Sequence, residues 1–292
     1  MLKIGAMSIC LAQQLPEAER TTERILQVAA EAGLDGVEFY QTEWGGEPAH
    51  VDEAEALKRR AGDMGLEVFG LGSGERVGRR DQGREGALQV LRDQIRTAAG
   101  VGAGVVTFPA IDAPPLPAGG GREGTPFVRG LAPLVEQMVE LAEFAAPLGV
   151  RLGLLNHCYF VGAAWQQEWA LRLAGADNLG ACIDPGNYLF YECGDPVAAS
   201  RLLAGRVCAI RLGDWRRRDE AAIRGDFAES GRLSLYEGAL FGTGEVDHRR
   251  CLEELQAGGY SGYLSIKSVG SAPEGPAAAF TRSLEAVRAL VR

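Results

Sequence analysis

Ionisable side chains stand at the ends of several short apolar runs. They are Glu38, His157, Asp184, Arg211 and Lys267. Histidine and carboxylate side chains can move protons, so His157 with Glu38 is the candidate acid–base pair. Arginine and lysine carry positive charge that stabilises a developing oxyanion, and a neutral Lys267 could also act as a base or form a Schiff base. These residue types favour proton transfer that is assisted by fixed positive charge.

The apolar runs predict the strands of a parallel sheet that is covered on both faces, because most of them are apolar at consecutive positions. The runs are LKIGAM (2–7), GVEFY (36–40), LEVFGL (66–71), GVVTFP (104–109), VRLGLLN (150–156), LGACID (179–184), VCAIRL (207–212) and GYLSIK (262–267). The five ionisable residues above therefore lie on, or directly after, predicted strands.

Amphipathic stretches between these runs predict helices. In the first long one, Ile25, Val28, Ala29 and Ala32 form one apolar stripe, and Gly33 follows as a helix end. The order is eight units of a strand followed by a helix, with no shift in composition between them. We therefore predict an α/β fold, a single (β/α)8 TIM barrel over residues 1–292. A doubly wound parallel sheet is the alternative.

The composition indicates a soluble globular protein and excludes several classes of partner. The chain has 292 residues, 24% of them charged, and a net charge of −9 with no basic cluster beyond Arg216–Arg218, so we expect no nucleic-acid binding. No apolar run is long enough to span a membrane, and the N-terminus does not resemble a signal peptide. The six cysteines form no C-x-x-C motif, so we expect reduced thiols and a cytoplasmic location.

Two long segments follow predicted strands at the end of the barrel where active sites form. They cover residues 110–125 and 214–247. Long loops in compact domains are commonly lids or binding segments. The second segment carries large apolar residues such as Phe227, Leu235 and Phe241, so we expect it to form a lid or an oligomer contact. A homo-oligomer is one open alternative.

The segment GLGSGERVG (70–78) is glycine-rich and follows the third predicted strand. Its spacing is G-x-G-x-G, which differs from the G-x-G-x-x-G of dinucleotide-binding loops, and no acidic residue closes a second strand about 20 residues further on. We interpret it as a flexible turn over the mouth of the barrel.

An ordered set of motifs resembles the xylose isomerase-like TIM barrels, which include sugar phosphate isomerases and epimerases as well as abasic-site endonucleases. The motifs are GLDGVEFY, LAEFAAPLGVRLGLLNH, CIDPGN, IRLGDW and GTGEVDHRRCLEELQAGGYSGYLSIK. The resemblance spans nearly the whole chain. It implies an enzyme that moves a proton next to a carbonyl of a small polar substrate.

The same resemblance implies a divalent metal held by Glu, Asp, His and Glu at the ends of the last four strands. The corresponding residues in this sequence are Leu155, Asp184, Arg211 and Lys267. The family set carries about three negative charges, whereas this set carries about +1, and arginine and protonated lysine offer no lone pair to a cation. We therefore expect no metal and no other cofactor. His157 and His248 give only a weak alternative metal site.

Without a metal, Arg211 and Lys267 would take its place and stabilise the negative charge that develops on the substrate oxygen. Asp184 would orient one of these two cations. A net positive pocket would favour a small anionic substrate. Further candidates for substrate binding are Asn156, Asn187, Asp214, Trp165, Tyr188 and Trp215. Two alternatives stay open: a non-catalytic barrel that binds a small anion or a protein partner, in which the charged residues form only a salt-bridge network, and a lyase or dehydratase with divergent chemistry.

Overall fold

Ten strands are present in the computed structural model, which describes residues 2–40, 53–111, 126–157, 160–230, 234–267 and 270–292. They are β1 (Lys3–Met7), β2 (Gly36–Tyr40), β3 (Glu67–Gly72), β4 (Val105–Pro109), β5 (Arg151–Leu155), β6 (Leu179–Ile183), β7 (Val207–Leu212), β8 (Asp214–Arg217), β9 (Tyr236–Ala239) and β10 (Tyr263–Ile266). All except β8 and β9 pair in parallel and close into a barrel, in the order β1-β10-β7-β6-β5-β4-β3-β2.

Helices surround this barrel. They are α1 (Ser8–Ala12), α2 (Thr22–Glu31), α3 (Ala54–Asp63), α4 (Arg84–Val101), α5 (Pro126–Ala145), α6 (Ala164–Ala174), α7 (Pro185–Phe190), α8 (Pro196–Leu203), α9 (Glu220–Ser230), α10 (His248–Ala257) and α11 (Pro276–Leu290). The predicted (β/α)8 barrel is confirmed, with every predicted strand boundary within one residue, and closure of the sheet excludes the doubly wound alternative. No described helix combines the length and apolar character that a membrane crossing requires.

Local signals explain where the helices begin and end. Thr21 caps α2 by accepting a hydrogen bond from the Arg24 amide at 3.3 Å, and Gly33 leaves the helix with a φ of 65°, a conformation that glycine adopts without strain. Asp247 caps α10 in the same way through the Arg250 amide, at 3.1 Å. Ile25 and Ala29 of the predicted stripe are buried.

The N-terminal end of the barrel is filled by an aromatic ring. Phe69 of β3 lies where Gly5 of β1 and Gly36 of β2 leave room, and a Cβ on Gly5 would collide with the ring. The Phe69 ring also stacks on Tyr263 with centroids 3.9 Å apart. An aromatic ring thus fills the barrel interior at this end, and the mouth cavity with its charged lining lies at the C-terminal end.

The segment predicted as a long loop after the seventh barrel strand contains regular structure. β8 and β9 form an antiparallel pair that runs from Asp214 opposite Ala239 to Arg217 opposite Tyr236, and α9 lies between them. Its predicted role as a lid or an oligomer contact stays a prediction. Residues 112–125 of the other long segment lie outside the described residues.

Candidate functional site

A cavity of about 270 Å³ opens at the C-terminal ends of the barrel strands. Its described lining consists of Met7, Ile9, Tyr40, Ser73, Gly74, Arg76, Pro109, Leu155, His157, Arg211 and Lys267. Three of these side chains are cationic and none is a carboxylate. Low-dielectric walls lined with one sign of charge concentrate ligands of the opposite sign, so the described part of the cavity suits an anion.

Arg211 of β7 reaches across the barrel to Glu38 of β2. Its Nε and Nη2 donate to Glu38 Oε1 at 3.0 and 2.5 Å, and Nη2 also donates to the Thr107 hydroxyl of β4. The second carboxylate oxygen of Glu38 accepts from the Ser265 hydroxyl of β10 at 2.6 Å. Both charged side chains are only 4% exposed. These four residues, the "polar cluster", therefore tie four strands together inside the barrel.

Burial is the largest single influence on the pKa of Arg211 and lowers it, but the neighbouring acidic groups, Glu38 foremost, together raise that pKa by more, so the net shift is upward. The guanidinium is therefore permanently charged. The partners of Glu38 named above do not include His157, so the structure does not pair these two residues as an acid and a base. The predicted catalytic role of Glu38 stays a prediction.

Lys267, which directly follows β10, is held by two partners. Its Nζ lies 2.5 Å from Asp184 Oδ2 and donates to Asn187 Oδ1 at 3.0 Å. Asp184 is fully buried and also caps α7, because its Oδ1 accepts from the Gly186 amide at 3.0 Å. The predicted partnership of Asp184 with one of the two cations is thus present, and that cation is Lys267.

Two asparagines, Asn156 and Asn187, hold Asp184 and Lys267 in place. The side chain of Asn156 pairs with the backbone of Asp184, donating to its carbonyl at 2.9 Å and accepting from its amide at 2.8 Å. Asn187 Nδ2 donates to the Asn156 carbonyl at 3.0 Å. Both asparagines are buried, and their substrate-binding role stays a prediction. Their contacts position Asp184 and Lys267.

His157 follows β5 and lines the cavity. Its Nε2 lies 3.2 Å from the Tyr191 hydroxyl, while its Nδ1 is buried with no hydrogen-bond partner in the described part of the chain. Burial lowers the pKa of His157 to about 4, and the positive charges of Lys267, Arg76 and Arg211 contribute further. The imidazole is therefore neutral at neutral pH and is a weak base.

Arg76 is a site residue that the sequence reasoning missed. It belongs to the glycine-rich segment 70–78, whose residues after the end of β3 also contribute Ser73 and Gly74 to the lining of the cavity. Its Nη1 donates to the Ala110 carbonyl at 3.0 Å, which fixes the side chain beside the mouth. The signal in the sequence that could have identified Arg76 is its position in a glycine-rich segment directly after a barrel strand.

Asp214 is buried and organises a loop. Its Oδ2 accepts from the amides of Gly242 and Gly244, both at 2.9 Å, and its Oδ1 accepts from those of Trp215 and Val246 at 2.9 and 3.3 Å. Backbone amides thus occupy both carboxylate oxygens. Substrate binding by Asp214 stays a prediction, and the contacts described above are all with the backbone of the protein.

The three aromatic candidates for substrate binding lie outside the described lining of the cavity. Tyr188 is fully buried and donates to Gln167 Oε1 at 2.8 Å. Trp215 stacks on Phe190 with centroids 4.3 Å apart. Trp165 is half exposed on α6. Their substrate-binding roles therefore stay predictions.

The family resemblance places Leu155, Asp184, Arg211 and Lys267 at metal-ligand positions, and these residues do not suit a divalent cation. Leu155 offers no donor atom, and Arg211 and Lys267 are already engaged as cations. Both oxygens of Asp184 are occupied, by Lys267 and by the Gly186 amide. Among the described residues, no three His, Cys, Asp or Glu side chains lie close enough together to hold a metal ion. Independence from metal stays a prediction.

Solved structures with the same fold include sugar epimerases. The 3-keto-D-glucoside 4-epimerase from E. coli, in its apo form, has a TM-score of 0.74 and 18% identity, over 99% of this chain and 100% of that one. The D-allulose 3-epimerase from Methylomonas sp., in complex with D-allulose, has a TM-score of 0.69 and 17% identity, over 99% and 96%.

A further structure with this fold is a xylose isomerase-like TIM barrel protein from Mycobacterium smegmatis in complex with magnesium. It has a TM-score of 0.72 and 17% identity, over 100% of this chain and 98% of that one. At these identities the likenesses show a shared fold. No curated protein sequence matches the chain.

The sequence profile of a family described as xylose isomerase-like TIM barrel matches residues 26–290, which is most of the chain. The closed parallel barrel agrees with that match. The chain therefore belongs to the xylose isomerase-like TIM barrel family.

Proposed function

We propose that the chain is an isomerase or epimerase that moves a proton next to the carbonyl of a small anionic substrate without a divalent metal. The observation that carries this proposal is the charge of the mouth cavity, where Arg76, Arg211 and Lys267 line the described surface and no carboxylate does. Sugar epimerases with the same fold support the reaction class. The lack of fit between the donor set and a cation supports the metal-free chemistry.

Lys267 is the proposed electrophile. An ammonium group has three N–H donors, and Asp184 and Asn187 take two of them. The third donor can point to a substrate oxygen in the cavity that Lys267 lines. Because the two partners fix the ammonium before substrate binds, it stabilises a developing enediolate without reorganisation.

Arg211 is the second proposed stabiliser. Its hydrogen bonds to Glu38 and Thr107 use Nε and Nη2, and none of those bonds uses Nη1. Because Arg211 also lines the cavity, Nη1 can approach a bound anion. Glu38 then holds the guanidinium in place from the other side of the barrel.

His157, which lines the cavity, is the proposed base. Its low pKa comes first from burial and then from three neighbouring cations. A bound anion offsets the charge of those cations, so substrate binding raises the basicity of the imidazole. In the free enzyme, the neutral form predominates above a pH of about 4.

A non-catalytic anion-binding barrel is the second candidate. The observation in its favour is that Glu38 and Asp184, the carboxylates next to the cavity, are both engaged in ion pairs. Proton transfer then depends on His157, whose base strength is weak. Binding without turnover is the outcome that this candidate requires.

Deuterium exchange tests the proposal even while the product is unidentified. The protein is incubated in D2O with EDTA and a panel of keto sugars, sugar phosphates and keto acids, and NMR follows loss of the proton next to each carbonyl. We expect exchange with at least one anionic member, and we expect His157→Gln to slow it at least about 100-fold while ligand binding persists. Lys58→Met, at an exposed lysine on α3, is the control and should exchange at the normal rate.

Three outcomes contradict the proposal. Tight binding of an anion with no exchange favours the non-catalytic barrel. Exchange that needs an added divalent metal removes the metal-free mechanism. Equal rates for the His157→Gln variant and the unmodified protein remove His157 as the base.

A further inference from the structure

An apolar stripe runs along the outer face of α6. Trp165, Trp169 and Leu173 follow one another at four-residue intervals, which places them on one side of the helix. Each of these side chains is more than half exposed. Single exposed apolar residues are common on monomeric proteins, but a row of two tryptophans and a leucine is a contiguous patch that calls for a partner.

The helices that pack against α6 also expose large apolar residues. α6 packs against α5 on one side and α8 on the other, and these helices expose Val128 and Leu202, at 58% and 46%. Phe127 of α5 contacts the Trp165 ring, with centroids 4.9 Å apart. We call Trp165, Trp169, Leu173, Val128 and Leu202 the α6 surface. It accounts for five of the eight large apolar residues that are exposed in the described part of the chain.

The size of the α6 surface matches one side of a protein dimer. A tryptophan side chain can bury up to about 250 Å², so the two half-exposed rings offer about 250 Å². The three aliphatic residues add roughly 130 Å² at about half exposure. A standard interface buries about 800 Å² per partner, of which about 480 Å² is apolar. The α6 surface supplies most of that apolar area.

The order of residues on α6 suits a second copy of the same helix. A twofold axis through Trp169 superimposes the stripe on itself, with Trp165 of one copy over Leu173 of the other. Glu168 and Arg172 flank the stripe and lie one turn apart on the same helix, so an antiparallel copy brings unlike charges towards each other. A membrane is a poorer partner, because the chain carries a net charge of −9 and cytoplasmic membrane surfaces are negative.

We propose that the chain forms a twofold symmetric dimer in which the α6 surfaces of two copies pack against each other. The inference is independent of the proposed chemistry, because none of these five residues belongs to the described lining of the mouth cavity. It locates the interface on α6, whereas the sequence predicted that the segment 214–247 forms a lid or an oligomer contact.

Sedimentation velocity of the full chain over a range of concentrations tests the proposal. We expect a species of twice 31.1 kDa, and we expect Trp169→Glu and Leu173→Glu each to raise the dimer dissociation constant at least 100-fold. Phe227→Glu on α9 is the matched control, because Phe227 is 56% exposed and lies outside the α6 surface. Circular dichroism confirms that each variant is folded.

The alternative partners are outcomes of the same experiment. Dissociation by Phe227→Glu together with a Trp169→Glu variant that stays dimeric would place the contact on α9 and overturn the proposal. An unmodified chain that stays monomeric at 100 µM overturns it as well. Binding of that monomer to phosphatidylserine vesicles, lost in the Trp169→Glu variant, would identify a membrane as the partner instead.

Discussion

Removal of Arg211 measures how strongly the polar cluster holds the barrel together. In Arg211→Met, the Glu38 carboxylate stays buried and keeps the Ser265 hydroxyl, but it loses its counter-ion and two charge-assisted hydrogen bonds. Breaking a buried ion pair by removing one partner costs about 3–5 kcal/mol of unfolding free energy. With a urea m-value of about 3 kcal/mol/M, the unfolding midpoint should fall by more than about 1 M.

Urea titrations followed by both circular dichroism and tryptophan fluorescence provide the measurement, and agreement of the two probes checks that unfolding has two states. The double variant Glu38→Leu with Arg211→Met should lose much less than the sum of the two single variants, because it leaves no unpaired charge. Lys3→Met removes the exposed Lys3–Glu67 pair and should cost less than about 1 kcal/mol. A loss below about 1 kcal/mol for Arg211→Met, or additive single variants, would refute the reasoning.

Three further predictions concern pH, metal and the loop after β9. Burial foremost, followed by neighbouring positive charge, lowers the pKa of His157 to about 4 from 6.5. As the pH falls, the imidazole is therefore protonated in the unfolded chain before it is protonated in the folded chain. Stability is therefore lost as the pH falls from 6.5 to 4, and urea unfolding of His157→Gln should show a smaller loss. Neither EDTA nor 1 mM Mg²⁺, Mn²⁺ or Zn²⁺ should move the thermal midpoint by more than about 1 °C, whereas a site filled at 100 times its Kd would raise it by about 5 °C. Asp214→Ala frees buried amides, including those of Gly242 and Gly244, and should cost about 3 kcal/mol and speed protease cleavage at residues 240–246; an unchanged cleavage rate would contradict this.

The fold could be predicted from the sequence because its signals are local. Each barrel strand is a short apolar run, and the long helices α2 and α10 each combine an apolar stripe with an N-terminal cap, Thr21 in α2 and Asp247 in α10. The alternation of these signals specifies a parallel sheet. The sequence did not predict the antiparallel pair of β8 and β9, because these strands are short and largely exposed. They lack the apolar pattern that identified the barrel strands.

The candidate site could be predicted only in part. The strand ends place Asp184, Arg211 and Lys267 on one end of the barrel, but the choice of partner depends on how each side chain extends from its strand. Arg211 is long enough to reach Glu38 across the barrel, which leaves Lys267 to Asp184. Arg76 reaches the site from the segment after β3. Hydrophobic periodicity predicts strands and helices, but it does not predict the course of a connecting segment.

The pairing of Arg211 with Glu38 also constrains how this chain can evolve. A single substitution that places a histidine or a carboxylate at position 211 would leave Glu38 inside the barrel without the arginine that neutralises its charge. The intermediate would lose much of the marginal stability of a folded domain, and selection would remove it before a cation site could form. Substitutions at positions 38 and 211 are therefore coupled, and a change at position 211 is tolerated more readily when position 38 changes first or at the same time.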